Sequence, residues 1–183
     1  MMNSVSLSLR KCSAPFLIKS CNNLGSFSGY ASIFNELDDQ GDRVLKGAFQ
    51  KSLEAIAAQS TSPKMLWQHD ASDPIGVWEE IREDDRGLFV KGRLILELRR
   101  AQEAYALMKA RVLDSLSIGY RVVQASKSPN LKERLLKQLD LFEISLVTFP
   151  ANRAARITNL KTREINNDPL IESIQHAIRI LKS

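Results

Sequence analysis

Between Leu113 and Val123 the chain alternates with a period of two. Leu116, Ile118, Tyr120 and Val122 fall on one face, and Ser115, Ser117, Gly119 and Arg121 on the other. That period commits the segment to a strand with its apolar face against a core. The other face carries two hydroxyls beside a glycine, whose missing side chain leaves room for another backbone or a substrate to come close. A serine so placed becomes a nucleophile only with a base and a positioned partner, which the rest of the chain must supply.

The remaining pattern is a mixture of strands and two amphipathic helices. Phe27 to Phe34 reads as a strand with Gly29 as an interior weak point, followed by a polar loop from Asn35 to Val44. Phe49, Leu53, Ile56 and Ala57 form a helical stripe within 48–59. Lys64 to His69 is a short apolar run ending in His69, and Ala71 to Pro74 reads as a turn. Ile75 to Ile81 and Leu88 to Leu96 flank the turn signal Asp84-Asp85-Arg86-Gly87, as in a hairpin. Ala101, Ala104, Tyr105, Met108 and Val112 make a second helical stripe over 99–112, and Leu135 to Phe149 is the last long strand. Asp168 as N-cap and Pro169 in the first turn begin an amphipathic C-terminal helix, preceded by a basic, polar stretch.

A length of 183 residues with 44% hydrophobic content suits one domain with short extensions. Cys12 and Cys21 both lie in the irregular N-terminal stretch, which predicts reduced thiols rather than a disulfide framework. No window approaches the apolar length of a membrane span, and the first segment makes a poor signal peptide, so a soluble intracellular protein is expected. The net charge of +5 comes from basic residues spread among acidic ones, with 7% aromatics and no stacking motif. That distribution describes a solvated surface rather than a specific nucleic-acid site.

His69 and His176 are the two histidines. His176 falls mid-way along the C-terminal helix, on its polar side. His69 ends a strand between Gln68 and Asp70 and is the imidazole base available to the first 170 residues. Glu143 shares a strand face with Leu141, Ser145 and Val147, and a carboxylate in so apolar a strand must find a partner or protonate. An arginine would satisfy it, and so would His69. Two isolated histidines and two distant cysteines make no metal site, and the acidic loop 35–44 lacks the ligand spacing of an EF-hand. A phosphate-cradling glycine loop is also missing, so no cofactor is expected and acyl transfer by a serine is the leading chemistry.

The motifs Phe27-Ser28-Gly29-Tyr30-Ala31, Gly41-Asp42-Arg43-Val44, Gly47-Ala48-Phe49, Leu66-Trp67-Gln68-His69-Asp70, Pro74-Ile75-Gly76-Val77-Trp78, Leu116-Ser117-Ile118-Gly119-Tyr120 and Glu143-Ile144-Ser145-Leu146-Val147-Thr148, with Pro150-Ala151-Asn152, stand in one order along the chain. Together they resemble the prohead serine proteases of tailed bacteriophages over roughly Phe27 to Ile157. The resemblance implies an α+β fold: a compact, mostly antiparallel β-barrel flanked by helices, similar to the herpesvirus assemblins. Residues 1–24 alternate weakly and then break up, which predicts a first short strand or a mobile arm; the protease domain is expected at 25–157, followed by a basic linker and helix at 158–183. The expected partner is a major capsid or scaffolding protein as substrate, cut inside the immature capsid in the host cytoplasm, with self-cleavage and homo-oligomers left open and no membrane involved.

By motif position, Ser117 matches the nucleophile, His69 the general base and Glu143 the third member, with Arg153 the nearest equivalent of an oxyanion-supporting arginine. Many relatives have glycine where this chain has Ser115. Ser117 is chosen over that second hydroxyl because Ile118-Gly119-Tyr120 follows it directly. The rival expectation is a capsid-assembly protein that kept the fold and lost activity, and a nucleic-acid-binding module stands third.

Overall fold

The computed structural model describes residues 24–128, 133–162 and 180. The arm expected at 1–24 lies almost wholly outside them, as do both cysteines, His176 and the C-terminal helix apart from Ile180. In chain order the elements are β1 (Ser26–Ile33), β2 (Asp42–Val44), α1 (Gln50–Ala58), β3 (Lys64–Trp67), β4 (Asp70–Glu83), β5 (Gly87–Leu94), α2 (Arg99–Lys109), β6 (Ser115–Lys127), β7 (Arg134–Val147) and β8 (Ile157–Leu160). Among the described residues, no helix is long and apolar enough to cross a membrane.

All eight strands belong to one curled sheet in the order β2-β7-β3-β4-β5-β1-β8, with β6 on the other edge of β7. The expected antiparallel preponderance holds for most strand pairings, but the compact barrel needs correcting, because the sheet is mixed and open. β2 and β3 both run parallel to β7 and share one of its edges, while the other pairings are antiparallel. Between those two short strands the edge of β7 is covered by the α1 region instead. The amide of Leu139 donates to Ala48 O (2.8 Å) and that of Leu141 to Ser52 Oγ (2.9 Å), so buried backbone donors left without a strand are still satisfied. Ser52 therefore belongs to the buried face of α1, while Ala57, expected in the buried stripe, faces solvent.

The far ends of the sheet approach each other through a bridge between Ser115 and Arg156, with Leu116 N donating to Ala155 O and Ile157 N to Asp114 O. Inside the curl lie Phe49, Met65, Ile75, Leu88, Leu94, Leu116, Leu136, Ile144 and Leu146, each nearly free of solvent contact. Phe27 meets Trp78 edge-on at 5.6 Å between ring centroids.

Three local expectations shift. The segment Ala71–Pro74 lies in strand β4 rather than a turn, with Pro74 at a register shift against Leu66, where a ladder tolerates proline. Helix α2 ends at Lys109 because Arg111 turns left-handed (φ 57°) and Val112 N bonds back to Leu107 O, a Schellman-type stop that leaves Val112 exposed. β2 and β8 are too short to show a period, and both fell in segments that read as polar loops.

Gly29 sits where β8 crosses β1, and a Cβ there would lie 2.3 Å from Arg156 O and 2.8 Å from Ile157 Cα. Both are backbone atoms that cannot swing aside. Gly29→Ala is expected to cost roughly 1–3 kcal/mol of stability, read as a lower urea midpoint. An unchanged midpoint would mean that the β1–β8 crossing is loose.

Candidate active site

Strand β6 presents two serines, and the fold separates their roles. Ser115 is fully buried, donates to Asp114 Oδ1 at 2.7 Å and accepts from Arg156 Nη1 at 2.7 Å. The bond from Ser115, joined by one from Arg156 Nη1 to Asp114 Oδ1 (2.5 Å), holds the Asp114 carboxyl below its ordinary pKa. Ser115 is thus occupied in fastening β6 to the segment before β8. Ser117, two residues on, is 7% exposed and lines a cleft with His69, Ser32, Tyr120, Asp42 and Asn152.

His69 reaches that cleft from a turn. Trp67 pairs with Asp70, leaving Gln68 (φ 51°) and His69 (φ 63°) as the two residues linking β3 to β4, both in the left-handed region. Two-residue hairpins favour that geometry, but it normally belongs to Asn-Gly, and each side chain here costs roughly 1–2 kcal/mol. The turn is held by β7. Gln68 N donates to Leu146 O (3.0 Å), Gln68 Nε2 to Thr148 Oγ1 (2.9 Å), Thr148 N to Gln68 Oε1 (3.2 Å) and His69 N to Ser145 Oγ (3.2 Å). A strained turn held by so many bonds is a common mark of a functional position.

The partner of Glu143, left open between an arginine and His69, is His69. Its Oε1 lies 2.6 Å from His69 Nδ1, and its Oε2 accepts from Ser145 Oγ at 2.6 Å. A carboxylate accepting at Nδ1 keeps the ring proton there and leaves Nε2 free to take another. The hydrogen bond from Glu143 is the largest influence on His69 and raises its pKa above the ordinary imidazole value, against the opposing effect of burial. Gly119 makes the contact sterically feasible. It pairs with Glu143 across β6–β7, and a Cβ on it would stand 2.2 Å from Glu143 Oε1. The room beside that glycine is filled by the carboxylate.

Ser117 Oγ and the His69 ring share the cleft wall without a direct hydrogen bond between them among the described residues. Bonds of this kind are often long before substrate binds and tighten in the complex. Ser117 pairs across the strands with Ser145, whose hydroxyl touches the His69 backbone. Arg153 is placed apart, its Nε 2.9 Å from Asp39 Oδ1 on an exposed side chain, and it does not line the cleft.

Several site residues were not anticipated. Asp42, 1% exposed, accepts from Arg134 Nε at 2.7 Å and from Tyr120 Oη at 3.2 Å, forming one wall of the cleft. Burial, then the Asp42 charge, pushes the Tyr120 hydroxyl up to about 12. Asp42 stood in the polar loop as one carboxylate among several, within the Gly41-Asp42-Arg43-Val44 motif, and its seat beside Arg134 comes from the parallel pairing of β2 with β7. Gln68 and Ser145 stand inside the motifs that carry His69 and Glu143, but the sequence assigns no role to either.

A family model described as the caudovirus prohead serine protease matches residues 16–169. The chain belongs to that family. The prohead protease of Enterobacteria phage HK97 is 36% identical over 140 residues, 75% of this chain and 61% of that protein. The chain therefore spans about six-tenths of that relative's length. A capsid polyprotein of Pseudomonas phage PAJU2 is 31% identical over 141 residues, which are 69% of this chain and 21% of the polyprotein. Among solved structures, the bacteriophage T4 capsid assembly protease aligns with a TM-score of 0.53 at 9% identity, covering 67% of this chain and 82% of that one. At that identity the likeness speaks for the fold alone.

Proposed function

We propose that this chain is the serine endopeptidase of capsid maturation, cutting the scaffold or the scaffold-like arm of the major capsid protein. The observation that carries the reading is the 2.6 Å contact between His69 Nδ1 and Glu143 Oε1 in the cleft that Ser117 lines. The kinship with the PAJU2 capsid polyprotein supports a capsid substrate. Residues 25–157 carry the chemistry, and the work is done inside the immature capsid in the host cytoplasm.

Neutral His69 takes the Ser117 proton at Nε2 as Ser117 Oγ attacks the scissile carbonyl carbon. Glu143 holds the ring and balances the positive charge it acquires. His69 then gives that proton to the leaving amine, and water, activated by the same base, releases the acyl group from Ser117. Arg153 would support the oxyanion after leaving Asp39, an exposed pair worth about 0–1 kcal/mol and so readily opened.

Co-expression with the capsid protein of the same phage, followed by mass spectrometry, tests the reading. Discrete new termini are expected, and an intact capsid protein would favour an assembly role without cutting. The pH profile adds a second check. A base whose pKa is raised in the folded enzyme becomes protonated earlier as pH falls, so kcat/KM should decline already above 6.5, the ordinary imidazole value. Glu143→Gln removes the main cause of the shift and should move that decline downward. A profile flat to pH 5 would rule out His69 as the base.

A further inference from the structure

We infer that Ser145 is a positioning residue for the proteolytic reaction, its hydroxyl tying the Glu143 carboxylate to the backbone of His69 so that the base is held beside Ser117. The inference rests on the triad reading above. Ser145 has no solvent exposure and sits directly across the β6–β7 ladder from Ser117. Its Oγ donates to Glu143 Oε2 at 2.6 Å and accepts the His69 amide at 3.2 Å.

These bonds close a ring. From Ser145 Oγ it runs through both oxygens of Glu143 to His69 Nδ1, back along His69 to its amide, and on to Ser145. Each carboxylate oxygen then has its own partner, and the group cannot rotate without breaking one bond to make another. The ring also anchors a histidine whose backbone sits in the left-handed region. On the same face of β7, two positions on, Val147 is a buried apolar residue, so packing alone would be served by an apolar side chain at 145. A buried hydroxyl is retained at no net cost only when it is bonded, and both of its bonds here go to triad members.

Threonine and valine at 145 separate this role from packing, since they are nearly equal in volume and only threonine keeps the hydroxyl. In the full-length protein acting on the capsid protein, Ser145→Ala should lose roughly 10²-fold in kcat, the penalty expected when a catalytic group drifts by about 1 Å, with KM little changed. Ser145→Thr should recover most of that loss and Ser145→Val none. In protein labelled with nitrogen-15 at histidine, the low-field Nδ1–H signal of His69 should shift or broaden in Ser145→Ala.

Cutting by Ser145→Ala at the wild-type rate with that signal unchanged, or equal rates for the threonine and valine variants, would overturn the inference while leaving the triad intact. Should both larger residues prevent folding, the alanine variant and its Nδ1–H signal decide the matter. A wild-type protein that cuts nothing would instead sink the triad reading, and the role given to Ser145 with it.

Discussion

Ser117→Ala is expected to abolish cleavage, by roughly 10⁶-fold in kcat, while melting close to the wild-type temperature. The size follows from the role: without an oxygen to attack the carbonyl, no acyl intermediate forms, and the remaining groups have nothing to act on together. The lack of effect on folding follows from the geometry. Ser117 contributes a small side chain to a cleft wall and is held by no bond to His69. Ser115→Ala should behave in the opposite way. It removes the bond from Arg156 that helps tie β6 to the segment before β8, together with the local bond to Asp114, so it should lower stability by about 1 kcal/mol and leave cutting in place. Full activity in Ser117→Ala, or inactivity confined to Ser115→Ala, would transfer the nucleophile to the other serine.

Gly119→Ala should cost roughly 10²–10⁴-fold in kcat/KM with little change in melting temperature, approaching the loss seen when a triad's carboxylate stops orienting its histidine. The added methyl would stand 2.2 Å from Glu143 Oε1, so one of the two must move. No positive φ holds Gly119, and the atoms it meets, Oε1 (2.2 Å), Cδ and Cγ (each 2.8 Å), belong to the Glu143 side chain rather than to backbone, so the fold can adjust by swinging that side chain away. The adjustment that spares the fold is the one that breaks the contact with His69. Gly29→Ala, which meets backbone, should do the reverse and unfold more readily. The same Gly119→Ala variant should shift the acid limb of the pH profile downward, because His69 loses the bond that raises its pKa. Wild-type kinetics in Gly119→Ala would show that Glu143 is dispensable.

The strands at 26–33, 87–94, 115–127 and 134–147 were legible because a half-buried strand writes its period of two into the chain. Helices α1 and α2 were legible by the same logic at 3.6 residues, each misjudged at one end, where Ala57 faces solvent and Arg111 turned the chain away from Val112. The turn bearing His69 was misplaced by a few residues. Neither Gln68 nor His69 is a usual left-handed residue, and the bonds from Leu146, Thr148 and Ser145 that hold them come from 76 or more positions away. The clash of Glu143 with any side chain at 119 was likewise invisible, although both residues had been singled out.

By itself the sequence determined the two faces of β6 and β7, and with them the kinds of group available: a hydroxyl at 117, a carboxylate at 143 and an imidazole at 69. Which of these touch was decided by the tertiary structure alone. Period and propensity are properties of neighbours along the chain, whereas the parallel seating of β3 on β7 and the antiparallel register of β6 against it are set by packing across the whole sheet. That packing brings Glu143 over Gly119 to His69, with Ser145 bonded to both, and leaves Arg153 on the surface with Asp39.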